Sequence, residues 1–236
     1  MKWVFAIFWV LWADLTNTRC QSIPLKPYLI KGLPQKSSVA AVVPDKQGFL
    51  WFGGLNGLYR YDGMQLVRFQ HKPEDSSSIP HNYIVDFCED GYGHLICGTL
   101  GEGIFIFDKA TEKAAPIPGA DSIPGLRHAI VKFVHQSEFG TDIWCGTSEG
   151  LLLKYDPIRK TIENIFMLNR QLDRSLRVAI TGLTEISKDK VLVASLRGLY
   201  LVDPVQKSGV LVSSLNPSLK YLDATEFYCL YKSNQG

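Results

Sequence analysis

Three features of this sequence predict an all-β fold, an incomplete β-propeller of four-stranded antiparallel blades. The first is a recurring strand–turn–strand unit at residues 49–62, 95–108, 143–156 and 191–203. Its turn-closing glycines, Gly57, Gly103, Gly150 and Gly198, stand 46, 47 and 48 residues apart. A period near 45 with several strands per period marks a radial or stacked repeat. The second is that the strands are apolar on both faces, as in Leu50-Trp-Phe and Ile104-Phe-Ile-Phe. A sheet with one wet face alternates apolar and polar residues, so these sheets must be dry on both sides. Sheets stacked face to face around an axis meet that condition. The third is the lack of a helical period after residue 13.

The elements follow in order. Residues 1–20 read as a secretory signal peptide: Lys2, an apolar run from Trp3 to Ala13, then a polar segment. Eleven apolar residues are too few to span a bilayer, which takes about 20. Residues 21–36 form a lead-in with three prolines. Its short apolar run, 28–30, reads as a strand lent to the last blade of a ring. Blade one spans 37–70, with strands at 38–43, 49–52, 58–61 and 65–70. Asp45-Lys-Gln-Gly48 makes its first turn, with Gly at the last position. Blade two spans 82–117, with strands at 83–88, 94–97, 104–107 and 113–117. Blade three spans 128–166, with strands at 129–135, 143–145, 151–155 and 161–166. Blade four spans 177–213, with strands at 178–186, 191–193, 199–202 and 209–212. A partial fifth repeat, 224–236, opens with a strand at 224–231 and stops before its central strand. That stop implies an open arc, a piece of a longer protein. Its bare edges are an association hazard, so poor solubility is expected when it is expressed alone.

The totals narrow the function. The chain has 236 residues, 46% of them hydrophobic, enough for one sizeable domain. A net charge of +2, with no run of Lys or Arg, excludes a phosphate-backbone tracker, so no nucleic-acid partner is expected. Cys97 and Cys145 share one repeat column. On neighbouring sheets they would lie about 10 Å apart, beyond the roughly 7 Å that a disulfide tolerates. They read as free, buried, small hydrophobes. Cys88 and Cys229 lie in strand-like runs and are expected to behave alike.

The repeat motifs carry a resemblance. Cys88-Glu-Asp-Gly-Tyr-Gly-His-Leu-Ile-Cys-Gly-Thr99, Ile143-Trp-Cys-Gly-Thr147 and Gly57-Leu-Tyr-Arg-Tyr-Asp62 resemble the two-component regulator propeller repeat. Gly32-Leu-Pro-Gln-Lys-Ser-Ser-Val39 is similar to that family's entry into its first blade. Repeat four departs most, with Leu192 for Trp and Ala194-Ser195 for Gly-Thr. The family occurs in periplasmic sensor regions of hybrid two-component systems, chiefly of Bacteroidetes. The resemblance implies an exported, periplasmic N-terminal part of a sensor. Further blades, a second propeller, a membrane helix and a histidine kinase would follow. It also implies glycan-fragment ligands and a homodimer in the full-length protein.

In a propeller, the second-to-third strand turns and the blade connectors share one face. Here the turns supply Asn56, Glu102, Glu149 and Arg197. The connectors supply His81, Asn82, Arg127 and His128. Polar groups converging on a shallow, part-aromatic site suit a sugar or peptide. The blander reading makes them solvated loop residues or turn stabilisers. The repeated Asp62, Asp108, Asp156 and Asp203 read as turn chemistry, not as catalytic acids. The five histidines lack a metal spacing, and no phosphate loop or nucleophile elbow occurs. Glu102 and Glu149 invite comparison with a glycosidase carboxylate pair, but no other residue supports it. No catalysis, cofactor or metal is therefore expected. A ligand-sensing propeller is the leading reading. An exported propeller enzyme (a lyase or glycosidase) and a protein-binding scaffold are the alternatives.

Overall fold

Each repeat folds as a meander, because its strands are joined by turns too short for anything but an antiparallel neighbour. The structure is a computed structural model that describes residues 30, 32–34, 38–168 and 178–230. The chain divides into two units, Met1–Ile30 and Lys31–Gly236. The signal-peptide residues, positions 28 and 29 of the lead-in run, and residues 231–236 lie outside the described residues.

Among the described residues are sixteen strands in four separate sheets. Blade one holds β1 (Val39–Pro44), β2 (Leu50–Gly54), β3 (Gly57–Tyr61) and β4 (Leu66–Phe69). Blade two holds β5 (Ile84–Glu89), β6 (His94–Thr99), β7 (Ile104–Asp108) and β8 (Lys113–Pro116). Blade three holds β9 (Val131–Gln136), β10 (Ile143–Thr147), β11 (Leu151–Asp156) and β12 (Thr161–Met167). Blade four holds β13 (Ile180–Ser187), β14 (Lys190–Ser195), β15 (Gly198–Asp203) and β16 (Ser208–Leu211). Every sheet runs in sequence order. The first strands pack side by side, β1 on β5, β5 on β9 and β9 on β13. They are the inner strands of an incomplete β-propeller. Each carries a bulge near its start, at Ala40, Val85, Lys132 and Thr181, and such bulges add local twist.

The hydrophobic cores lie between sheets. Trp51 and Leu58 of blade one meet Ile84, Phe87, Leu95 and Phe107 of blade two. Ile96 and Ile104 meet Val131, Val134, Cys145 and Leu153 across the next junction. Trp144 and Leu152 meet Ile180, Val191, Val193 and Val202 across the third. Neighbours in sequence such as Leu95 and Ile96 thus serve opposite junctions, as the period of two requires. Close approach is set by a glycine column. A Cβ on Gly98 would lie 2.3 Å from Val131 Cγ1, and one on Gly53 would lie 2.8 Å from Ile84.

The short helical segments differ from the all-strand expectation. Leu126–His128 is a 3-10 turn, closed by Ala129 N–H on Leu126 O, so β9 starts two residues after the predicted 129. After β16, Val212–Leu215 forms one α-turn and Pro217–Ala224 a 3-10 helix. Asn216 caps the latter by accepting from Ser218 N–H, with Pro217 at its first position. Asn-Pro is a helix-start signal that the strand-oriented reading passed over. Residues 225–230 form no ladder but lie where the next inner strand would. Phe227 N–H donates to Ser195 O at 3.1 Å, and Thr181 Oγ1 donates to Phe227 O.

Candidate functional site

The face carrying the second-to-third strand turns is shaped by buried hydroxyls. Thr99 Oγ1 donates to Gly103 O at 2.9 Å and accepts from Glu102 N–H at 3.0 Å. Ser195 does the same for Gly198 O and Arg197 N–H. Thr147 Oγ1 accepts from Leu151 N–H at 3.2 Å. The threonine of the repeat motif is thus a turn clamp. Gly103 has φ +61°, and a Cβ there would lie 2.3 Å from Leu126 O. Only glycine combines that backbone with that approach, which draws the turn tip against the connector.

As a result Glu102 and Arg127, both exposed, line one cavity of about 250 Å³ together with Ser76, Ser78 and Asp121. The other expected residues do not line it. Asn56 offers its carbonyl to Arg68 Nε at 3.0 Å. His81 Nδ1 accepts from Tyr83 N–H, and Asn82 Oδ1 from His71 N–H; both brace connectors, as the turn-stabiliser reading holds. His128 is exposed on the 3-10 turn, and Arg197 is half-buried at its turn tip. Glu149 is different. Its Oε1 accepts from Ile130 N–H at 3.3 Å and Ser148 Oγ at 3.0 Å. Its Oε2 is buried and has no partner among the described residues.

The opposite face is held by carboxylates. Asp62, Asp108, Asp156 and Asp203 each accept two backbone N–H groups from the turn that follows. Asp45 closes the first turn of blade one and accepts Trp51 Nε1–H at 2.9 Å and Lys109 Nζ at 3.2 Å. Lys109, with its side chain 6% exposed, also reaches Glu89 at 2.6 Å. Burial alone would raise the Asp45 carboxyl, but the bonds from Trp51, Lys109 and Phe49 carry it below the usual carboxylate range. Burial alone would lower Lys109, but Glu89 and Asp45 carry it above the usual lysine value. Asp86 on β5 accepts Val134 N–H of β9 at 2.7 Å, and burial raises its carboxyl. The sequence reading missed Lys109, Asp86 and Glu185 because the partners that join them to another blade, Asp45, Val134 and Trp144, lie 40 or more residues away. Trp51 and Asp45, six residues apart, were the local signal that was available.

The four described cysteines are free: Cys97 and Cys145 are buried, and Cys88 is half-buried. Burial, helped by Asp86 and Asp90, pushes the Cys88 thiol up to about 12. Cys229 contradicts the expectation of a buried thiol: it is exposed, because residues 225–230 join no ladder and leave its side chain uncovered. Among the described residues no cluster of three or more potential metal ligands occurs, and no helix is long and apolar enough to cross a membrane.

Solved structures with this fold include two from B. thetaiotaomicron. One is the extracellular domain of BT3049, described as a hybrid two component system: 19% identity, TM-score 0.59, covering 73% of this chain and 24% of that one. The other is the extracellular domain of BT4673, described as a one component system: 19% identity, TM-score 0.64, covering 90% of this chain and 26% of that one. The WD40 repeats of RRP9 are also similar, at 10% identity and TM-score 0.52, covering 75% of this chain and 51% of that one. The chain therefore spans about a quarter of the two bacterial domains that it matches. No protein-family model and no curated protein sequence matches it.

Proposed function

We propose that this chain is the first part of an extracytoplasmic ligand-sensing propeller of a two-component sensor, exported to the periplasm and not itself an enzyme. The ligand is an oligosaccharide bound on the face of the second-to-third strand turns. The parent protein would carry further blades, a second propeller, a membrane helix and a histidine kinase, and would act as a homodimer. Supporting this reading are the repeat motifs and the fold shared with extracellular domains described as one- and two-component systems. The observation that carries the ligand site is Glu149 Oε2, a buried acceptor on that face without a donor among the described residues. Buried acceptors are almost always paired, and a ligand hydroxyl would pair this one. Arg127 and Glu102, which line the cavity of about 250 Å³, supply a donor and an acceptor of opposite charge. Signalling would follow from differential binding, the ligand favouring one arrangement of the sensor over another.

The test is calorimetric titration of the chain with a panel of neutral and acidic oligosaccharides, repeated with Glu149→Gln, Glu102→Gln and Arg127→Ala. One oligosaccharide class should give heat, and at least one substitution should weaken it fivefold or more. Silence across the panel would overturn the reading, and shortened oligosaccharides in the cell would point to an enzyme instead.

A further inference from the structure

The outer strands of blades three and four are not packed together as tightly as the inner ones. Between β12 and β16 lies a cavity of about 700 Å³, within the usual range for small-molecule sites. Its shape has a local origin. The β11–β12 ladder shifts register between Leu152 and Leu153, leaving Ile165 as an extra residue. The corresponding outer pairs β3–β4, β7–β8 and β15–β16 show no shift. A bulge re-aims the side chains beside it. Here Asn164 lines the cavity, and its Oδ1 is buried with no partner among the described residues. Ile165, on the bulge, also lines the cavity and packs into the core between the two blades.

The remaining walls select a ligand class. Phe166 and Tyr200 form a tilted pair, with centroids 5.9 Å apart at 49°. Gly209 on β16 lets the Phe166 ring pack directly against the strand, since a Cβ there would lie 2.8 Å from that ring. Lys207, the one basic residue on the lining among the described residues, is paired with Glu163 at 2.9 Å. Burial raises the Tyr200 phenol, so it stays neutral at ordinary pH. Among the described residues the cavity thus offers aromatic and aliphatic surface, one buried unpaired acceptor and no unpaired charge. We infer that this cleft between blades three and four is a second binding site, taking a small uncharged aromatic molecule with one N–H or O–H donor, of the indole or phenol class. The ring packs on Phe166 and Tyr200 while its donor meets Asn164 Oδ1.

The test needs no variant at first. Titrating the chain with indole and with 1-methylindole, which keeps the ring and lacks the N–H, isolates the donor. Indole should bind at least fivefold tighter, the worth of one neutral hydrogen bond of about 1 kcal/mol. Equal affinity, or no binding of either, overturns the inference. Asn164→Leu should remove the difference between the two ligands. Gly209→Leu should abolish binding of both while the β-sheet circular dichroism is kept; retained binding in that folded variant would also overturn it. Glucose binding here in place of indole would overturn the ligand class.

Discussion

Trp144 of the third blade donates its indole N–H to Glu185 of the fourth, at 2.9 Å in a buried setting. The same carboxylate accepts from Ser137 Oγ and Glu138 N–H, also of blade three. Blade one handles the matching tryptophan differently, pairing Trp51 with Asp45 of its own first turn. Blade three has Ser137 at the position of Asp45, and its indole is met by an acid of the next blade. Glu185 therefore fastens one blade to another. Glu185→Ala should destabilise the chain by about 2–3 kcal/mol, since it leaves a buried donor unpaired. Trp144→Phe in the Glu185→Ala background should lose less than the two single changes summed. Midpoints of urea unfolding would check both, and additive losses would refute the link.

The Asp45–Lys109–Glu89 cluster joins blades one and two, and its pH dependence follows in sign. The Asp45 carboxyl lies below its ordinary value, so its contribution is present above the unfolded carboxylate pKa of about 3.9. It is lost as pH falls through the lower folded value. Lys109 lies above its ordinary value, so its contribution is present below the unfolded lysine pKa of about 10.4. It is lost as pH rises through the folded value. Between these limits Lys109→Met should destabilise by about 3–5 kcal/mol, as breaking a buried pair does. The gap in stability between the unaltered chain and Asp45→Asn should be level from pH 5 to pH 8, and should close only in acid below that range. A gap that narrowed near neutrality would contradict the assignment.

Blade spacing should depend on Gly98. Its added Cβ would meet Val131 Cγ1 at 2.3 Å, against a packed inner strand that cannot recede. Gly98→Ala should therefore cost about 1–3 kcal/mol through overpacking. Gly140→Ala is the control, with nothing within 4 Å of the new Cβ. It should be neutral or stabilising by up to about 1 kcal/mol. Thermal unfolding of the pair would separate them.

Thiol reactivity should divide by burial. Cys229 is exposed, while Cys97 and Cys145 are buried and their thiols held well above the ordinary range. At pH 8 a disulfide reagent should modify Cys229 within minutes and leave Cys97 and Cys145 untouched until urea is added. Peptide mapping by mass spectrometry resolves each site. Early labelling of Cys97 would mean that the junction between blades one and two opens readily.

The hairpins were legible in the chain because every device that makes them acts over a few residues. Asp62 caps the turn that follows it, Thr99 clamps the turn it precedes, and Gly103 supplies the left-handed backbone at its close. The period of near 47 residues then required the hairpins to stack. The candidate ligand residues were legible only as a shared face. Folding placed Glu102 and Arg127 in one cavity, turned His81 and Asn82 to bracing connectors, and left Glu149 Oε2 unpaired.

What the sequence by itself determined was the repeated blade, since turns, caps and strands apolar on both faces are local and recur four times. The tertiary structure alone decided which carboxylate receives Trp144, how closely Gly98 approaches Val131, and that a cleft opens beside Asn164. Each depends on surfaces some 30 to 50 positions apart in the chain. A local pattern carries no information about such distances until the blades have packed.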